Sequence, residues 1–156
     1  MKILVLGDVM GLSGRNALSQ KLPKLITNDK IDFVVVNGEN SADDGRGITQ
    51  NIAEEFFKIG VDVITSGNHI WDKQETTNYI NKEKRLLRPA NLVEGSPGRG
   101  YEVYVSKNND YKIGVINLMG NVYMRKTEDV FQEAKKIKKK MILKKTADFL
   151  VVDFHG

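Results

Sequence analysis

The first half of this chain of 156 residues predicts an α/β fold. Short runs rich in Val, Ile and Leu alternate there with amphipathic segments of helical length, and each apolar run ends in glycine or a polar residue. Strands that alternate with helices form parallel sheets joined by right-handed crossovers. We therefore predict a sheet with helices packed on it.

The elements are predicted in order from the period of the apolar residues and from turn residues. In the first half these are strand 2–7, helix 14–27, strand 32–37, helix 49–59, strand 61–65 and helix 72–82. Glycines and Pro97 indicate a loop over 91–100. Strands 101–105 and 112–118 flank the turn residues Asn108-Asn109-Asp110, which predicts an antiparallel hairpin.

A basic amphipathic helix over 127–145 and a last strand over 148–154 complete the pattern. Val130, Ala134, Ile137 and Met141 follow spacings of four, three and four, which places them on one face of a helix. The lysines of 135–145 are interpreted as its solvated face. An RNA-binding surface is the alternative, but interleaved aromatic residues are missing there.

Composition is that of an ordinary globular protein, with 40% apolar and 28% charged residues and a net charge of +4. The length predicts one domain over residues 1–156. No apolar run reaches the length of a membrane span, so no membrane association is predicted. The absence of cysteine excludes thiolate chemistry and fits a cytoplasmic protein.

Polar clusters follow the predicted strands at the point where each ends. Their metal-binding and acid–base candidates are Asp8, Glu39, Asn40, Asn68, His69 and His155. The carboxyl ends of strands in an open α/β sheet share one edge, where ligands bind. Carboxylates, amide oxygens and imidazoles together form a mixed donor set for divalent metals. We therefore predict a metal site at that edge.

Four residues invite a more specific interpretation. His69 is a candidate general acid, because a histidine of near-neutral pKa can protonate a leaving alkoxide. Asp72, three residues later, could orient that imidazole or simply cap the following helix. Arg88 and Asn91 could line a substrate groove, since arginine suits phosphate, or could shape the loop around Pro89.

At this point the motifs resemble a known family, the YmdB-like branch of the calcineurin-like metallophosphoesterases. The resemblance extends in order through the whole chain. It rests on Gly7-Asp8-Val9, Asn37-Gly38-Glu39-Asn40, Gly67-Asn68-His69, Trp71-Asp72, Arg88-Pro89-Ala90-Asn91 and Asp153-Phe154-His155.

This resemblance implies a metallophosphoesterase-type α/β/β/α sandwich with two divalent ions, Mn or Fe, and hydrolysis of phosphodiesters such as 2′,3′-cyclic nucleotides. Asp8 and Glu39 would hold the first metal and Glu39 would bridge. Asn68 and His155 would hold the second, Asn40 would support the site, and His69 would act as the acid.

The family domain is expected to continue beyond the Asp153-Phe154-His155 strand and to supply further histidine ligands. Residues 1–156 are therefore expected to be its N-terminal portion, with an incomplete sandwich and impaired activity. An uncovered strand edge would favour a homo-oligomer.

Two other classes of function stay open. A non-catalytic metal- or nucleotide-binding regulatory module of the same fold would account for the missing histidines. A Rossmann or flavodoxin-like nucleotide binder is permitted by the alternating first half, but the glycine-rich phosphate fingerprint is absent.

Overall fold

A computed structural model describes residues 1–108, 110–124 and 126–156. The elements in the first half are β1 (Ile3–Leu6), α1 (Gly11–Asp29), β2 (Phe33–Asn37), α2 (Gln50–Lys58), β3 (Val63–Thr65) and α3 (Gln74–Lys82). Those in the second half are β4 (Tyr101–Val105), β5 (Lys112–Met119), α4 (Val130–Lys140) and β6 (Phe149–His155). Asn109 of the predicted hairpin turn lies outside the described residues.

Two three-stranded sheets carry the fold. The first has the order β1-β2-β3 and is parallel, as the alternating first half predicts. The second has the order β4-β5-β6, in which β4 and β5 form the predicted antiparallel hairpin and β6 joins β5 in parallel. Parallel pairing brings the ends of β1, β2 and β3 to one edge.

The two sheets pack face to face between layers of helices. Val34 and Val36 of β2 belong to the core beneath the three helices of the first half. Phe33 and Val35, which alternate with them, pack instead against Ile113 and residues beyond it in the second sheet. Successive side chains of a strand point to opposite faces, so a strand buried on both sides is apolar throughout. The expected α/β/β/α sandwich is confirmed.

Helix α4 covers the outer face of the second sheet but is shorter than predicted. Ile137 and Met141 pack on Ile116 and other apolar residues of β5. The helix ends at Lys140 rather than 145, because the Thr146 hydroxyl accepts a hydrogen bond from Ile142 N (2.6 Å) and closes a turn. The lysines on α4 are exposed, and their RNA-binding interpretation stays a prediction.

Helix α1 is longer than predicted. It begins at Gly11 rather than at residue 14, continues to Asp29 and contains Pro23. The early start brings its first turn against the exit of β2, where Gly11 N donates to Asn40 O (2.8 Å). Among the described helices, none has the length and hydropathy needed to cross a bilayer.

Strand β6 is an open edge of the second sheet. Over the described ranges it pairs with β5 alone. Its outward side chains Leu150, Val152 and Phe154 are 36%, 53% and 57% exposed. An uncovered apolar stripe of this kind along a strand edge is a surface on which another strand can pair.

Candidate metal and phosphoester site

The ends of β1 and β2 bring Asp8 and Asn40 together. The two strands pair in register from Ile3 with Phe33 onwards, so their carboxyl ends are adjacent. The amide nitrogen of Asn40 donates to both carboxylate oxygens of Asp8, at 3.1 and 2.9 Å. This contact orients an exposed carboxylate at the rim of the edge.

A second group forms where the two sheets meet. Nε2 of His155, from β6, lies 3.0 Å from Oδ1 of Asn68 and 3.3 Å from Oε1 of Glu39. Glu39 is 1% exposed, and its other oxygen, Oε2, is buried without a hydrogen-bond partner in the described part of the chain. A buried carboxylate oxygen that lacks a partner is costly unless a ligand completes it.

Gly67 makes this close approach possible. A Cβ placed on Gly67 would overlap Oε2 of Glu39 and would stand 2.5 Å from Nε2 of His155. No side chain other than hydrogen therefore fits at this position. The glycine of the Gly67-Asn68-His69 motif thus lets the carboxylate and the imidazole pack directly against the backbone.

Burial shifts the pKa values of both groups toward their neutral forms. Desolvation raises the pKa of Glu39 to about 7; His69 opposes this increase and the charge of Asp8 adds to it. Burial likewise lowers the pKa of His155. Near neutral pH, the 3.3 Å contact thus joins two groups that are only partly ionised, and a cation would favour the carboxylate form.

His69 follows this group on the turn after β3. Its Nδ1 lies 2.6 Å from Oδ2 of Asp72, so the carboxylate fixes the ring and leaves Nε2 for another partner. Of the two predicted roles of Asp72, the contact with the imidazole is the one observed. Helix α3 begins only at Gln74 and has no side-chain cap from Asp72.

Comparison with known proteins places the chain in a family. A sequence model of that family, described as YmdB-like protein, matches residues 4–156. This chain belongs to the YmdB-like proteins. The family resemblance predicted from its motifs is therefore confirmed.

Relatives of this YmdB-like chain are longer than it is. It is 40% identical over 156 residues to the 2′,3′-cyclic-nucleotide 2′-phosphodiesterase of Bacillus subtilis, covering 100% of this chain and 57% of the relative. The crystal structure of a novel phosphatase from Mycoplasma pneumoniae superimposes with a TM-score of 0.84 at 35% identity, covering 99% of this chain and 55% of that one. The chain thus spans just over half the length of these proteins.

A more distant likeness concerns the fold alone. The 5′-nucleotidase of Candida albicans superimposes with a TM-score of 0.59 at 13% identity, covering 98% of this chain and 36% of that one. The arrangement of strands and helices is thus shared with this larger protein.

The types of donor atom in the YmdB-like chain fit a divalent metal, although these residues do not form a complete set of metal ligands. Over the residues described, no three His, Asp or Glu side chains are grouped closely enough to hold a metal. Asn68 contributes an amide oxygen to the Glu39 and His155 group, and Asp8 stands apart with Asn40. The unpartnered Oε2 of Glu39 and its close approach to His155, which Gly67 permits, are the observations that favour an ion here.

Arg88 and Asn91 make structural contacts in this YmdB-like chain. The Arg88 guanidinium donates to Pro97 O at 3.0 Å and to Pro89 O at 2.8 Å. The buried Asn91 amide donates to Met119 O at 2.7 Å and accepts from Met119 N at 2.9 Å. These contacts match the loop-shaping alternative, and a role in substrate binding stays a prediction.

Asn37 and Asp153 are two positioning residues to which the sequence analysis gave no individual role, although both belong to the motifs named there. Asn37 Nδ2 donates to Asp153 Oδ2 across the sheets (3.0 Å), and its Oδ1 accepts from the backbone N–H of Glu39 (3.1 Å). Both are polar residues at inward positions of otherwise apolar strands. That pattern was the available signal, because a polar side chain buried there needs a specific partner.

Proposed function

We propose that this chain carries the N-terminal half of a metal-dependent phosphodiesterase site that acts on 2′,3′-cyclic nucleotides. The observation that carries the proposal is the buried Glu39, with one oxygen unpartnered and the other 3.3 Å from His155. The phosphodiesterase name of the Bacillus subtilis relative supports the substrate class. A non-catalytic metal- or nucleotide-binding module is the alternative.

Two divalent ions, Mn or Fe, would be held by the residues of the two groups. Asp8 and Glu39 would hold one ion and Asn68 and His155 the other, with Glu39 shared and Asn40 supporting Asp8. When bound, such ions stabilise charge on phosphoryl oxygens and lower the pKa of water. The oxygen and nitrogen donors match those that such ions accept.

His69 would deliver a proton to the leaving oxygen of the ester. Nδ1 is occupied by Asp72 at 2.6 Å, so the proton to be transferred is held at Nε2. The Asp72 carboxylate holds the ring in a fixed orientation for this transfer. His69 is partly buried, which protects this contact from competition by water.

Slow, Mn²⁺-dependent hydrolysis of 2′,3′-cyclic AMP and bis(p-nitrophenyl) phosphate is the expected result for the purified chain. Asp8→Ala should remove a metal donor and His69→Ala the acid, and each should lower the rate about 100-fold, the usual minimum contribution of a general acid. The exposed Lys138→Ala on α4 is the control and should leave the rate unchanged. A folded chain that binds Mn²⁺ without turnover would support the non-catalytic alternative instead.

We also propose that the chain forms a homodimer through β6. An antiparallel pairing of two β6 edges centred on Val152 places Leu150 of one copy opposite Phe154 of the other, on the same outer face. The stripe is therefore self-complementary, and pairing would satisfy the open backbone groups of the edge.

Val152→Lys is expected to weaken this dimer about tenfold or more, because two like charges would face each other across the pair. Sedimentation velocity over a concentration series measures the effect. Val105→Lys is a matched control: Val105 is also 53% exposed but lies on β4, the opposite edge of the sheet. A wild-type chain that stays monomeric at all concentrations, or equal weakening by both variants, would exclude pairing through β6.

A further inference from the structure

The loop 41–47 after β2 contacts the segments that follow Asp8 and His69. Gly45 has φ +74°, and a Cβ there would lie 3.1 Å from Sδ of Met10, two residues after Asp8. Gly47 has φ +78°, and its Cβ would lie 3.2 Å from the carbonyl oxygen of His69. The residue between them, Arg46, is thus at a tip that contacts both the β1 exit and the His69 turn.

Hydrogen bonds within the loop fix the position of this tip. Gly45 N donates to Ala42 O at 2.8 Å, and Ala42 N donates to Gly47 O at 2.9 Å. Both glycines adopt the left-handed backbone region, which a side chain disfavours. The Gly45-Arg46-Gly47 tip is therefore a closed, ordered turn.

The two aspartates of the loop form ion pairs with residues other than Arg46. Asp43 is paired with Arg15 at 2.6 Å, and Asp44 with Lys73 at 2.7 Å. Arg46 is exposed, and over the described ranges its guanidinium has no carboxylate partner. The Arg46 guanidinium is therefore available to bind an anionic ligand.

We infer that Arg46 binds the phosphate group of the nucleotide substrate and of its product from the rim of the site. The inference rests on the proposed function, because it assumes a phosphoester beside Asp8 and His69. A guanidinium donates two parallel hydrogen bonds to phosphate oxygens and keeps its charge at every physiological pH. Arg46 would act on affinity, while the proton transfer stays with His69.

Equilibrium binding separates this role from catalysis. Cleavage of the 2′ ester bond of a 2′,3′-cyclic nucleotide gives a nucleoside 3′-phosphate, so 3′-AMP is used as the ligand. Its binding is measured by calorimetric titration, once with Mn²⁺ and once with a chelator. Arg46→Ala is expected to weaken binding about tenfold, the effect of losing a charge-assisted hydrogen bond. Arg46→Lys should retain part of the affinity, and Lys138→Ala, which removes an equal charge on α4, should retain all of it.

The possible outcomes distinguish this inference from the proposed function. Equal affinity of wild type and Arg46→Ala for 3′-AMP would overturn the inference, as would a wild-type chain that binds Mn²⁺ but not 3′-AMP. Binding of 3′-AMP that depends on Arg46 but not on Mn²⁺ would support the inference and count against the metal centre. Circular dichroism of Arg46→Ala shows whether the loop change has affected the fold.

Discussion

Gly67→Ala is expected to weaken Mn²⁺ binding strongly and to destabilise the chain by about 2 kcal/mol, the usual cost of forcing an extra methyl into a packed site. The new Cβ would overlap Oε2 of Glu39 and the imidazole of His155, so both side chains must move. Displacing two donors at once should lower the affinity for Mn²⁺ about 100-fold or more, since loss of a single supporting contact already costs 10- to 100-fold.

Gly7→Ala is the matched control for this substitution. Gly7 also follows a strand and precedes a candidate ligand, Asp8, yet a Cβ on Gly7 meets no atom within 4 Å. Its effect on Mn²⁺ affinity and on the urea midpoint should be small. If titration with Mn²⁺ gave similar affinities for the two variants, the packing of Glu39 and His155 against Gly67 would have no part in metal binding.

Glu39→Gln is expected to stabilise the metal-free chain at pH 8 while removing metal binding. The pKa of Glu39 is raised from 4.5 to about 7 in the fold. The folded state therefore holds a proton that the unfolded state releases between these values, and stability falls as pH rises from about 4.5 to 7. Above pH 7 the buried charge costs about 3 kcal/mol, which a neutral glutamine avoids.

Urea unfolding with a chelator at pH 4.5 and pH 8 measures this effect. The variant should exceed the wild type by up to about 3 kcal/mol at pH 8 and should match it closely near pH 4.5. Glu55→Gln, at an exposed position on α2, is the control and should show no such pH dependence. A Glu39→Gln chain less stable than the wild type at pH 8 would contradict the burial argument.

With saturating Mn²⁺, the wild type should become more stable than Glu39→Gln, the reverse of the order expected without metal. The cation binds the ionised carboxylate, so Mn²⁺ affinity of the wild type should fall as pH decreases below about 7, where Glu39 is protonated. Saturating Mn²⁺ should then raise the melting temperature of the wild type at pH 8 and leave that of Glu39→Gln unchanged. Such a trade of stability for ligand binding is typical of functional sites.

Local patterns were sufficient to predict most of the fold and the edge at which the candidate residues lie. Strand β2 is apolar over its first four positions because both of its faces are buried, and this is visible in the sequence Phe33–Val36. The extent of α4 was not predictable in the same way. The lysines run on to Lys145, but a turn closes after Lys140, in which Ile142 N donates to the Thr146 hydroxyl and Lys144 N donates to Ala147 O.

Contacts between distant parts of the chain were also beyond local patterns. Asn37 and Asp153 are 116 residues apart, and their hydrogen bond depends on the packing of one sheet on the other. Arg88 suggested a phosphate ligand by its chemistry. Its contacts with carbonyl oxygens follow from the path of the loop to Pro97, which no single motif specifies.

The site joins the first sheet to the last strand of the second, and this has a consequence for folding. Glu39 and Asn68 follow β2 and β3, whereas His155 ends β6, which is held in place by its pairing with β5 of the second sheet. A cation shared by these residues would bind the fully docked state in preference to any state with β6 detached, and would stabilise it by mass action. A metal ion bound at this site would then be found only in chains in which β6 has docked.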